Sequence, residues 1–159
     1  MNLLCERDVL NKMGWPSGQK PTNPKDSIGS TKAPLSLVPA ATLAYLSIGH
    51  EEGRRKYGAW NWRVAGVRAS IYLDALERHI QRWKEGEEVD PQTGVPHLAS
   101  ALTCLSILVD ARVGGTLTDD RPPSNVGALD LIANLPKLMA GLPAPATPPR
   151  SYTIEDTLP

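Results

Sequence analysis

The most apolar stretch of the chain runs from Leu98 to Val109 and holds no charged residue. Pro96 stands just before it, where proline suits a first helical turn. The pattern predicts a helix from Pro96 to about Val113. A helix apolar all round belongs at the centre of a bundle or at an oligomer interface. Ser100, Thr103 and Ser106 fit that setting, because their hydroxyls can bond to carbonyls one turn back. Upstream, Leu73, Leu76, Ile80 and Trp83 recur at steps of three and four. That spacing predicts a second helix over VRASIYLDALERHIQRWKEG, with a bundle seam and Gly86 as its stop. Val67 and Ile71 give its early half a second apolar face. A third periodic segment starts near Pro39, carries Leu43, Leu46, His50, Gly53 and Tyr57 on one stripe, and stops at Gly58.

Outside these segments the periodicity fades. Residues 1–31 are rich in Gly, Pro, Asn, Ser and Lys, with turn signals throughout, and read as an irregular arm. Eight of the 15 prolines fall between Arg121 and Pro159. One helical pattern survives there, NVGALDLIANLPKLMAGL, and Pro136 is expected to break it. The end, PAPATPPRSYTIEDTLP, reads as extended or disordered. The expected organisation is an arm (1–31), an all-α helical domain (32–114) and a Pro-rich extension (115–159). The nearly charge-free helix from Pro96 to about Val113 would expose too much apolar surface in a lone monomer, so a homo-oligomer is expected.

Charge changes the picture in one respect. The chain has 17 basic and 17 acidic residues, which argues against a binder of nucleic acid polymers. A small phosphorylated ligand in a local basic pocket stays open. Two cysteines, Cys5 and Cys104, give no disulfide framework and suit a reducing cytoplasm. The apolar run of 12 residues is short of the ~20 needed to cross a bilayer, so no membrane is expected.

Candidate chemistry gathers in three places. KYGAWNWR brings Tyr57, Trp60 and Trp62 among Lys56, Asn61 and Arg63. Aromatic faces can stack on a base, cations can neutralise phosphates, and Asn61 can read a base edge. Equally, the tryptophans can plug the end of a bundle. Asp74 and Glu77 share one helix face, either as a site or as a solvated surface. Glu51 sits at a helix end where the dipole disfavours a carboxylate, so a cation, Arg54 or Arg55 should stabilise it. In GEEVDPQTGVPH, Glu87, Glu88 and Asp90 crowd a turn before His97. At a helix N-terminus an imidazole is favoured neutral, ready to bind a metal or accept a hydrogen bond. A structural histidine bonded to a carboxylate is the plainer alternative, for His97 as for His79. Oxygen-rich sets suit Mg²⁺ or Mn²⁺. No Cys pair, HExxH, Walker A loop, GxGxxG or GxSxG occurs.

The order KAPLSLVP, EEGRRKYGAWNWR, LDALERHIQRWKEGEEVDPQTGVPHLASAL resembles the phage branch of MazG-like all-α nucleotide pyrophosphohydrolases. That branch is described as dATP/dGTP diphosphohydrolase, and its MazZ-type members look most similar. The resemblance spans Lys32 to Asp110. Lys56, Tyr57, Gly58, Asn61 and Trp62 match a KYG–NW element, and Arg78 and His79 an RH pair. Gly86, Glu87 and Asp90 match a GE–D turn, and Gly94, His97 and Leu98 a G–HL element. Ser100 stands where the branch often has a second histidine, and the EExxE…ExxD signature is not literally present.

The resemblance implies a helical enzyme, dimeric or tetrameric, that splits a purine deoxynucleoside triphosphate into monophosphate and pyrophosphate. For MazZ-type members the substrate is dGTP, and dGMP can feed 2-aminoadenine nucleotide synthesis. A Mg²⁺ or Mn²⁺ cofactor goes with it; from the residues, Asp74, Glu87 and Asp90, with Glu51 or Glu77, are the expected ligands, and Glu87, Asp90, His97 and His79 the catalytic candidates. Lys32, Lys56, Tyr57, Trp60, Asn61, Trp62, Arg63 and Arg78 are the substrate-binding candidates. Two other readings are a nucleotide-binding or assembly module without catalysis, and a zinc-stabilised helical protein using His79, His97 and Cys104.

Overall fold

The computed structural model describes residues 23–29 and 31–156. Most of the expected N-terminal arm, Cys5 included, lies outside the described residues. The chain divides into two compact units, Met1–Leu43 and Ala44–Pro159.

In the first unit, α1 (Pro24–Gly29) occupies sequence expected to be irregular. Its start is an Asn-Pro pair: the Asn23 carboxamide accepts the Lys25 N–H at 3.0 Å, and proline fits the first turn. A 3-10 turn, Leu35–Leu37, follows.

In the second unit the protein is mostly helical, as the periodicity predicts. The elements are α2 (Ala40–Tyr57, which begins in the first unit), α3 (Asn61–Ala65), β1 (Val67–Arg68), α4 (Ala69–Lys84), α5 (His97–Gly114), β2 (Leu117–Thr118) and α6 (Val126–Ala140). The main packing is α4 against α5. Val67 and Arg68, expected as the start of a helix, instead form a short parallel pairing with Leu117 and Thr118. Gly115 takes a left-handed conformation (φ 75°), closes α5 and turns the chain back. Gly66 (φ 74°) lies so close to the returning strand that a Cβ there would sit 2.9 Å from the Thr116 carbonyl oxygen. The return also brings Asp120 to the start of α4. Its carboxylate accepts the Ser70 N–H at 2.8 Å and the Ser70 hydroxyl at 2.6 Å. That supplies the anion a helix N-terminus favours.

The core joins Trp62, Val67, Ile107 and Ala111, with Tyr72 and Leu117 packed against it. On α5, His97, Ala99, Ala101, Thr103, Ile107 and Ala111 are buried. Leu105, Val109 and Val113 face outward, so the helix is buried on one side and not all round. By length and composition α5 could also cross a membrane; here its inner face is packed on α4, as in a core helix.

Two expectations for the C-terminal extension are corrected. Pro136 does not break α6, which runs through it. Proline deletes one backbone bond, and Asn125 offsets this at the other end by capping the Ala128 N–H. The tail is also not simply extended. The Asp156 carboxylate accepts the Thr153 N–H at 2.7 Å and pairs with Arg150, and a Cβ on Gly86 would meet Ile154 at 3.0 Å.

Candidate functional site

Three helix faces and one turn enclose a cavity of about 500 Å³. From α2 come Gly49, Glu52, Gly53 and Lys56, spaced at three and four. From α4 come Tyr72, Ala75 and His79, and from α5 Ser100, Thr103, Cys104 and Ile107, with the same spacing. Each set is therefore a single stripe of its helix. Gly49, Gly53, Ala75 and Ser100 are small, and that leaves the volume open. Asp90, Gln92 and Thr93 come from the turn before α5, and Tyr57, Asn61 and Trp62 from the KYGAWNW segment.

Within this cavity Lys56 is ion-paired with Glu52, and that bond holds its pKa above the usual lysine range. Asp90 also acts on Lys56 through its charge. Asp90 accepts the Gln92 N–H at 2.9 Å, the main reason its pKa lies below the ordinary carboxylate value. His79 and His97 meet Nδ1 to Nδ1 at 2.8 Å, so one ring donates and the other accepts. His97 is 1% exposed, and its Nε2 lies 3.4 Å from Glu87 Oε1. Burial, then the neighbouring His97, lowers the pKa of His79 and favours the neutral ring.

A second cavity, of about 590 Å³, lies beyond His50 and Trp62, which line both. Its polar groups are already paired. Arg63 forks onto Asp110 with two bonds of 2.8 Å, and the Trp62 indole N–H donates to Asp110 at 2.7 Å. These bonds, Arg63 first, hold the Asp110 pKa at about 2. The Arg63 guanidinium also stacks 4.3 Å over the Trp60 ring. Trp60 adopts a left-handed backbone (φ 62°), rare for a bulky residue, which turns its ring onto Trp62. His50 Nε2 meets Ser106 Oγ at 2.7 Å.

The sequence candidates therefore separate. Lys56, Tyr57, Asn61, Trp62, His79 and Asp90 share the first cavity. Trp60, Arg63 and Glu51 line the second. Trp62 is 8% exposed with its N–H committed to Asp110, so it is a wall and not a free stacking face. Glu51 is clasped by Arg54 and Arg55, which bring its pKa to about 2. Asp74 and Glu77 are exposed on α4. Glu87 reaches Arg82 at 3.3 Å. Lys32 is an exposed residue of the first unit. Among the described residues no three metal-capable side chains group together. The five-carboxylate set is thus dispersed, and the zinc trio of His79, His97 and Cys104 is not assembled either.

Sequence reasoning missed Glu52, His50 and Asp110. Glu52 had a signal: it stands four before Lys56 and three after Gly49, in phase with the stripe that lines the cavity. Asp110 had one too, as the first charge after the apolar run.

The fold and the cavity define an all-α domain with a pocket of small-molecule size, edged by one lysine, two carboxylates and the imidazoles of His50 and His79. The sequence profile of a family described as "dATP/dGTP diphosphohydrolase, N-terminal" matches residues 22–121, and the chain belongs to that family. A protein of Salmonella phage PMBT28 named dATP/dGTP diphosphohydrolase is 31% identical over 90 residues. The match covers 57% of this chain and 30% of the phage protein, so the chain aligns with under a third of that relative's length. No solved structure matches.

Proposed function

We propose that the chain hydrolyses purine deoxynucleoside triphosphates to the monophosphate and pyrophosphate in the cavity of about 500 Å³. The observation that carries this reading is convergence. Lys56 and Asn61 (KYG–NW), His79 (RH) and Asp90 (GE–D) come from separate stretches and line one cavity. Family membership supports the same chemistry.

Lys56 would leave Glu52 for the phosphates, since a polyanion outcompetes one carboxylate. Tyr57, 69% exposed on the rim, has a free ring for the base, and Asn61 can read its edge. A water oxygen attacks the α-phosphorus, the bond to the bridging oxygen breaks, and pyrophosphate leaves. Asp90 or the released Glu52 takes the water proton. The two carboxylates in this cavity fit a Mg²⁺ or Mn²⁺ that is shared with substrate phosphates, and do not fit a caged metal. Such an ion would offset phosphate charge. The preferred substrate in this proposal is dGTP, with dGMP feeding 2-aminoadenine nucleotide synthesis. The setting is the cytoplasm of an infected host, apart from membranes and nucleic acid polymers.

The test is incubation with each of the four dNTPs and Mn²⁺ or Mg²⁺, with chromatography of the products. Monophosphate and pyrophosphate are expected from dGTP or dATP, and Asp90→Asn should abolish them while the circular dichroism spectrum stays unchanged. Absence of turnover with every nucleotide would sink the proposal.

A further inference from the structure

Beside the cavity of about 500 Å³ lies a smaller one of about 130 Å³, lined by Arg78, His79, Arg82, Asp90, Gln92 and His97. His79, Asp90 and Gln92 line both cavities, so the two share a wall. Their linings differ in kind. The larger has aromatic and small apolar surface, and every side chain of the smaller is polar or charged.

Arg78 and Arg82 are four apart on α4, so their guanidinium groups leave the same face. The Arg78 side chain makes no hydrogen bond or ion pair among the described residues. Arg82 touches Glu87 only at 3.3 and 3.4 Å, the long edge of hydrogen bonding. Two guanidiniums and one carboxylate, Asp90, line the cavity, and Glu87 reaches its edge at Arg82 and His97. His97 adds a separate signal. Its ring is fully buried, and its Nε2 has no hydrogen-bond partner, although Glu87 is within 3.4 Å. When His79 donates across the Nδ1–Nδ1 bond, His97 carries its proton on Nε2. That leaves a buried donor which a ligand oxygen would satisfy.

Guanidinium forks match phosphate oxygens two at a time. We infer that the small cavity is a polyphosphate subsite, which holds the β- and γ-phosphates of the substrate and then the pyrophosphate product. The inference rests on the pyrophosphohydrolase reading, and it assigns the two cavities separate tasks. The nucleoside occupies the larger, with its α-phosphate at the shared wall of His79, Asp90 and Gln92. Arg78 and Arg82 grip the departing end.

The test is calorimetric binding of inorganic pyrophosphate and, separately, of dGMP to the full chain. Arg78→Ala combined with Arg82→Ala should weaken pyrophosphate binding by more than about tenfold and change dGMP binding by less than about twofold. Arg78→Lys, which keeps the charge and loses the fork, should restore only part of the loss. It also serves as the readout if the double variant fails to fold. The subsite is overturned if wild type binds no pyrophosphate, if the variants bind it as wild type does, or if dGMP binding falls equally. The outcome is separable from that of the reaction. Loss of pyrophosphate binding in a chain without turnover would keep the subsite and remove the enzyme, and turnover with unchanged pyrophosphate affinity would do the reverse.

Discussion

At Gly49 only a hydrogen fits between α2 and α5. A Cβ there would stand 2.0 Å from Thr103 Oγ1 and 3.0 Å from the Ala99 carbonyl oxygen. Thr103 cannot yield freely, because its hydroxyl donates to that same carbonyl at 2.8 Å. Gly49→Ala should therefore destabilise by about 1–3 kcal/mol, against alanine's better helix propensity. Urea denaturation checks this, and adding Thr103→Ala should recover part of the loss. Wild-type stability for Gly49→Ala would refute the close approach. The same contact explains why the cavity residues were only half legible. In the doublet Glu51-Glu52 residue type cannot say which acid turns inward. The helix phase set by Gly49 against Thr103 decides it, and that is a tertiary fact. Asp110 carries a pH prediction. Its folded pKa of about 2 lies below an unfolded value of about 3.9. A depressed carboxylate stabilises above the unfolded value and loses that contribution as pH falls through the folded one. Asp110→Asn should thus be less stable than wild type at pH 7, and the gap should close between about pH 4 and pH 2. Urea midpoints measured across that range, with a gap that stayed constant, would count against the Arg63–Trp62–Asp110 cluster.

Among the elements, the three long helices were legible because each carries a local signal: an apolar stripe, a proline before it or a glycine after it. The sequence places α5 at Pro96 to about Val113, and the structure has it at His97–Gly114. What periodicity could not reveal was pairing between distant residues. Val67 continues the apolar pattern of α4, yet it is taken into a two-residue strand by Leu117, fifty positions on. Pro136 shows the opposite limit, a local rule overridden within α6. Packing at the junction of α3, β1 and α5 gives a quantitative expectation. Ile107 is buried against Trp62, Val67 and Ala111, so Ile107→Ala should cost about 2–5 kcal/mol. Val64→Ala, on a side chain that is 92% exposed, should stay within about 0.5 kcal/mol of wild type. Equal effects from the two, measured by thermal unfolding, would mean that this junction is not the core.

For the whole molecule, the outer face of α5 poses the largest energetic question. Leu105, Val109 and Val113 are exposed, and with Leu46 and Leu102 they line a shallow apolar groove. Water-facing patches of this kind are uncommon on monomers that stay single. The groove is separate from the Lys56–Asp90 cavity, so a partner can cover it without closing the site. We propose a second copy of the chain as the occupant, and a two-fold contact would set the same face against itself. Val109→Glu with Val113→Glu would then place four carboxylates in one desolvated interface. Such a variant should be monomeric by light scattering, and wild type should be dimeric or larger. Mass action adds a second readout. An oligomer's melting temperature rises with protein concentration, and a monomer's does not. Wild type should show that rise and the double variant should lose it, with helix content unchanged. A wild-type chain that scatters as a monomer at every concentration would refute the assembly, and an oligomeric double variant would show that this face is not the contact.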